Sequence, residues 1–373
     1  GSLKLNGVQL KDIGQKAVRH AGVELDGLVS AKDGRASGSF IKNCAIWKSW
    51  NDAISIRDTT SNFDLINNVI FDVNGDSVRV AGKLNVIEGN VAILGRMRRP
   101  DCDDAYFFNG APADCRGGHY RVSPHNTVKN NIAASSLVAG FVTDGDYCED
   151  EFFGWSGNKA HSVRDGILVM DGPAESDYHW PSRSSVTCRK AGGVSAWSIA
   201  DQGIMAWYPK GSLEVTNMHV IDASVGYAAT LMTPEVDMGE ITMTSKITDS
   251  TFSGLWPGQS CRRDHVYHCS KSMMDGKPWC KAYYETQVKN DPTDYLLGPQ
   301  GVLETVFVGP QFAARPKGEH KFRFQEPDSY ASVRGRAYIK NVHFDNFKGV
   351  DTGCSIRTMA FGQNFWSNDT FHQ

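Results

Sequence analysis

Three carboxylates fall within four residues, Asp101, Asp103 and Asp104, directly after Arg98 and Arg99 and upstream of His119 and His125. Crowded carboxylates raise one another's pKa, and histidine titrates near neutrality. Such a set suits polysaccharide hydrolysis, in which one protonated and one ionised carboxyl flank the scissile bond. It also suits elimination beside a uronate, in which a base removes a proton and a cation holds the developing charge. The sequence thus gives Asp101, Asp103, Asp104 and His119 as candidate catalytic residues, with Arg98 and Arg99 as candidate ligand-binding residues. Read blandly, the same stretch is a solvated loop tip or a weak Ca²⁺ site, and no other cofactor is implied. Glu24, Asp26, Asp165 and Asp171 are further acidic candidates, each equally suited to closing a turn.

Aromatic side chains supply the other recognisable chemistry, because sugar faces stack on rings. Trp180, Trp207 and Tyr208 lie in loop-proximal sequence and are candidate ligand-binding residues, whereas Trp47 and Phe71 recur at matched positions and read as core. Nine cysteines favour disulfides and an extracellular or cell-surface setting. Cys102 and Cys115 flank one polar loop and read as its staple. Cys261, Cys269 and Cys280 read as pairing among themselves. Cys261, His265, His268 and Cys269 also resemble a metal set, but zinc frames separate their ligand pairs by a longer segment.

The elements that carry these residues show as a repeat. Asn43-Cys44-Ala45-Ile46-Trp47, Asn67-Asn68-Val69-Ile70-Phe71 and Gly89-Asn90-Val91-Ala92-Ile93 align at steps of 24 and 22 residues, and Asn130-Asn131-Ile132 follows after 41. Short β-branched runs broken by Asn, Asp and Gly at this period are coils of a parallel β-solenoid, which must stack to bury their apolar faces. The expected fold is all-β, a right-handed parallel β-helix over residues 1–373 as a single domain, with long disulfide-stapled insertions at about 96–124 and 258–298. Later coils are marked by 156–158, 187–189, 216–220, 249–252 and 339–344. The recurring Asn either takes left-handed backbone angles at a turn or stacks its amide in an interior ladder. Gly1-Ser2 reads as a cloning scar on a piece excised from a larger protein.

Composition removes several classes. Net charge is −3, from 39 basic and 42 acidic residues, without a basic stripe, so nucleic acid is not an expected partner. No apolar run is long enough to span a bilayer, so no membrane insertion is expected. No glycine-rich phosphate loop or nucleophile elbow is present. Asn368-Asp369-Thr370 is a glycosylation sequon.

The aligned units carry a family resemblance. Ile41 to Trp47, Asn67 to Val73, Glu88 to Ala92, Val128 to Ser135, Ala139-Gly140-Phe141 and Asn158 to Ser162 together resemble the β-helix region of the fibrocystin and fibrocystin-L group. They are more distantly similar to hyaluronan-processing cell-surface proteins. The resemblance implies a β-helix inside a large ectodomain. Hyaluronan-degrading members carry a His-Phe-His element before the first clear coil; here that place holds Gly22-Val23-Glu24-Leu25-Asp26, so the resemblance does not carry that activity over. The expected function is a recognition module binding glycan or an extracellular protein through loops on one face. The rival is a polysaccharide hydrolase or lyase with its acidic site in a groove along the coils.

Overall fold

The computed structural model describes residues 2–15, 20–27, 38–96, 118–150, 153–170, 188–207, 212–231, 233–234, 243–254, 297–306, 331–332, 335–345 and 355–362. Their strands stack into ten successive coils of a parallel β-helix, each coil giving one strand segment to each of three walls. The second coil shows the unit: Phe40–Lys42 on the first wall, Ala45–Ser49 on the second and Ile54–Ile56 on the third. Each segment pairs in parallel with its counterpart one coil on, Ile41 with Leu65, Ile46 with Ile70 and Ile54 with Val78. In later coils the corner between walls straightens, and Ile132–Thr143 serves the second and third walls as one strand.

The 41-residue step is a single coil. Val91–Arg96 pairs with Ile132 to Ser136 on the second wall, and Gly118–Val122 pairs with Val78 to Val80 on the third. Residues 118–122, within the stretch expected as an insertion over 96–124, belong to the frame. Of the later markers, 156–158, 216–220, 249–252 and 339–344 fall at the expected corner, but 187–189 does not. Arg189–Gly192 is a first-wall strand, and the corner is Gly193-Val194. No asparagine marks it.

The two readings of the recurring asparagine are both correct, for adjacent positions. The first residue of each pair has positive φ: Asn43, Asn67, Gly89, Asn130, Gly157, Gly193, Asn217, Asp249 and Asn341. Asn and Gly carry the smallest cost there. The second residue points inward. Asn68 Nδ2 donates to Asn90 Oδ1 at 2.9 Å, Asn90 to Asn131 at 3.0 Å and Asn131 to Asn158 at 3.1 Å, while each amide also donates to a backbone carbonyl. All four are buried. Asn85 and Asn126 form a shorter ladder at the corner between the third wall and the next coil's first wall.

Interior packing explains why the second wall carries alanine. Ala92, Ala133, Ala160 and Ala196 stack there and leave room for Tyr120, Phe141, Ile167 and Ile204 from the third wall. Tyr120 and Phe141 stack at 5.1 Å, and the Tyr120 hydroxyl donates to the carbonyls of Asn90 and Ile132. Where the walls come closest no side chain fits: a Cβ on Gly166 would lie 2.4 Å from the Gly203 carbonyl oxygen and 2.9 Å from the Ala196 methyl.

Candidate functional site

The outer face of the second wall carries a row set by strand register. Lys11, Trp47, Phe71, Ile93, Ala134, His161, Trp197 and Ile221 occupy one position in eight successive coils. Neighbouring strands lie about 4.8 Å apart, so Trp47 and Trp197, five coils apart, are separated by about 24 Å along the axis. Trp47 is 45% exposed, which corrects its expected place in the core. The inward residues of that strand are Ile46 and Ile70, and alternation sends Trp47 and Phe71 outward. Trp47 meets Phe71 edge-on at 5.5 Å, and His161 lies flat on Trp197 at 4.8 Å, with Ile93 and Ala134 between the two clusters. Asp72 and Arg96, paired at 2.8 Å, stand beside the row, as do the exposed Ser162 and Ser198. Rings with polar neighbours along one wall can stack sugar faces and bond their hydroxyls.

The corner between the second and third walls holds a buried polar cluster. Asp76 accepts the Gly118 N–H and pairs with Arg121 at 2.9 Å, and Asp52 accepts the Asp76 N–H and lies 4.0 Å from Arg79. His119 Nε2 donates to the Ala134 carbonyl at 2.7 Å, so its Nδ1 accepts from the Ser77 hydroxyl at 2.9 Å. Burial pushes the His119 pKa down to about 4, outweighing the carbonyl and Asp76, which raise it. The Ser77–His119 arrangement has the bonding of a nucleophile and its base. Both residues are fully buried, so it positions the wall rather than attacking a substrate.

His119 was expected beside the acidic loop; it is instead an interior residue of a third-wall strand. Asp101, Asp103, Asp104, Arg98, Arg99, Trp180, Tyr208, Cys102, Cys115, Cys261, Cys269, Cys280 and Asp171 lie outside the described residues, with the Ca²⁺ expectation that rested on the first three. Trp207 ends the strand Val194–Trp207. Glu24 is held below the usual carboxylate range: burial alone would raise it, and hydrogen bonds and charge from Arg57 and His20 prevail. Asp26 accepts from the Thr59 hydroxyl on the next coil. Asp165 is buried with Arg164 at 3.7 Å and accepts the Gln202 N–H. The disulfide among the described residues joins Cys148 and Cys188, neither of which was among the expected pairs. Cys188 had been read as part of a coil marker.

A chain of ten stacked coils with buried amide rungs is a parallel β-helix of the solenoid class. Residues 1–163 match the family model described as the CEMIP β-helix. The chain is 23% identical over 325 residues to human fibrocystin-L, and 22% identical over 352 residues to mouse fibrocystin, covering 84% and 93% of this chain respectively. These matches support the fibrocystin-like β-helix relationship. The chain spans 7% of the length of these curated relatives. No helix among the described residues is long and apolar enough to cross a membrane.

Proposed function

We propose that this chain is a recognition module of an extracellular or cell-surface ectodomain that binds a linear glycan along the second wall. The outward row from Trp47 to Trp197, with Trp47 exposed, Phe71, His161 and Trp197 half-buried and Ala134 covered, is the observation that carries this reading. Rings facing solvent at a fixed register are otherwise a cost to solubility. Among the described residues, the carboxylates at the adjoining corner are buried and engaged by Arg79, Arg121 and backbone N–H groups. They therefore do not form the open acid and base pair that hydrolysis needs.

The test is a glycan array followed by a product assay on each glycan bound, with Trp47→Ala, Trp197→Ala and an Asp101, Asp103, Asp104 triple Ala variant. Each Trp variant is expected to weaken binding about tenfold, since a ring contact contributes on the order of 1 kcal/mol beyond its area. Chain shortening that disappears in the triple variant would establish the enzyme instead. Silence on every glycan, or binding indifferent to both Trp variants, would remove the aromatic row from the argument.

A further inference from the structure

A second centre lies at the corner where the third wall turns back to the first. Cys148 is bonded to Cys188 just before the first-wall strand Arg189–Gly192, and Glu214 lies on the next coil, where Lys190 is its register neighbour. The two sulfurs and a Glu214 carboxylate oxygen all lie within 4.8 Å of one another, and all three residues are half-buried, open to an ion or a small reductant. Lys246, paired with Glu214 one coil on, holds that carboxylate at 2.9 Å.

We propose that this corner is a redox-gated site for a thiophilic divalent cation, Zn²⁺ by its chemistry, with Cys148, Cys188 and Glu214 as ligands. In the oxidised chain the S–S bond excludes the metal. A dithiol reductant delivers two electrons and two protons, breaking that bond to give two thiols while itself closing to a disulfide. On metal binding each thiol releases its proton to solvent and becomes a thiolate. Zn²⁺ takes two sulfurs, a carboxylate oxygen and a fourth donor. The Arg189 carbonyl, 3.2 Å from Cys148 Sγ, or a water supplies that fourth donor. Two thiolates and one carboxylate around the cation leave one net negative charge, which the Lys246 ammonium balances without moving to a new strand. The backbone bond from Cys148 N–H to the Cys188 carbonyl at 3.1 Å keeps the sulfurs together when their bond is cut. The corner thus has two interchangeable clasps, one covalent and one metallic.

The experiment titrates Zn²⁺, and Co²⁺ as a spectroscopic probe, into the full chain after reduction with a phosphine, which does not compete as a thiol ligand. Wild type is compared with a Cys148→Ser, Cys188→Ser double variant and with Glu214→Gln, which keeps both sulfurs. Reduced wild type is expected to take up one equivalent more than the double variant and to show a thiolate-to-cobalt charge-transfer band missing from it. Glu214→Gln is expected to weaken binding about 10- to 100-fold. Equal uptake by reduced wild type and the double variant would overturn the site, and so would a Glu214→Gln affinity equal to wild type.

Discussion

The coils up to Asn158 and the coils after it solve the same stacking problem with different chemistry. In the earlier region, from the third coil on, the inward residue after the left-handed corner is Asn68, Asn90, Asn131 or Asn158, and the amides bond to one another down the axis, with Asn68 also accepting the N–H of Cys44, which holds that position in the second coil. In the later region the same position holds Val194, Met218, Ser250 and Val342. Ser250 keeps a trace of the rung, accepting the Met218 N–H at 3.1 Å, and Phe252 stacks on Phe344 at 5.8 Å. The family-model match ends at residue 163, just past the last amide rung. A buried amide column tolerates only one register, since a slip leaves donors unpaired in the interior. An apolar column gives cohesion with less directional constraint.

The largest expected effect breaks that contrast at its centre. Asn90→Ala removes the acceptor of two Asn68 N–H groups and the donor to Leu65 and Asn131. It is expected to cost about 4 kcal/mol in a denaturation experiment, in the range for a broken buried network. Met218→Ala, at the equivalent place in the apolar region, is expected to cost about 2 kcal/mol as a cavity. A reversed order would mean that the ladder does not set the frame.

Acid comes next, and it separates the two regions through His119. Its folded pKa of about 4 lies below the unfolded value of 6.5, so between those pH values the unfolded chain binds a proton that the folded chain refuses. Stability is therefore expected to fall by about 3 kcal/mol as pH drops from 6.5 to 4, and to show no further loss from this group below that. His119→Gln should flatten that part of the profile; an unchanged slope would place the acid sensitivity elsewhere. The corner residues, by contrast, should behave alike in both regions. Asn130→Ala and Asn217→Ala each remove the short polar side chain that makes left-handed backbone tolerable, at about 1 kcal/mol. Smallest of all, Trp47→Ala is expected to shift stability by no more than about 0.5 kcal/mol while weakening glycan binding, which separates the outer row from the core.

How far these features could be read beforehand depended on whether one residue type carried them. The Asn43, Asn67 and Asn130 corners and the Asn68 to Asn158 rungs were legible because few side chains do either task. Gly193-Val194 turns the chain and fills the inward place without an amide, so the marker at 187–189 falls several residues short of the corner. Wall parity was harder: Val91-Ala92-Ile93 and Ala45-Ile46-Trp47 put a small or medium residue inward and a larger one outward. Size alone therefore pointed the wrong way for Trp47. Gly118-His119-Tyr120-Arg121-Val122 looked like loop sequence because of its polar side chains. All five are buried, and the His119 and Arg121 side chains have partners on neighbouring coils. A sequence taken alone does not supply those partners.

One regularity of the second wall extends further. Asp12, Lys48, Asp72, Leu94, Ser135, Ser162, Ser198 and Asp222 also have positive φ, each five residues beyond a left-handed corner. Whatever is inserted elsewhere, this interval keeps its length, so it acts as the molecule's ruler. Losing or gaining one residue between the two marks would exchange inward and outward faces over that stretch, driving Trp47 or Trp197 into the interior. The same change in a segment between walls would merely alter its contour. Tolerance to length variation is thus written into the backbone angles, and it is lowest under the surface proposed to hold the ligand.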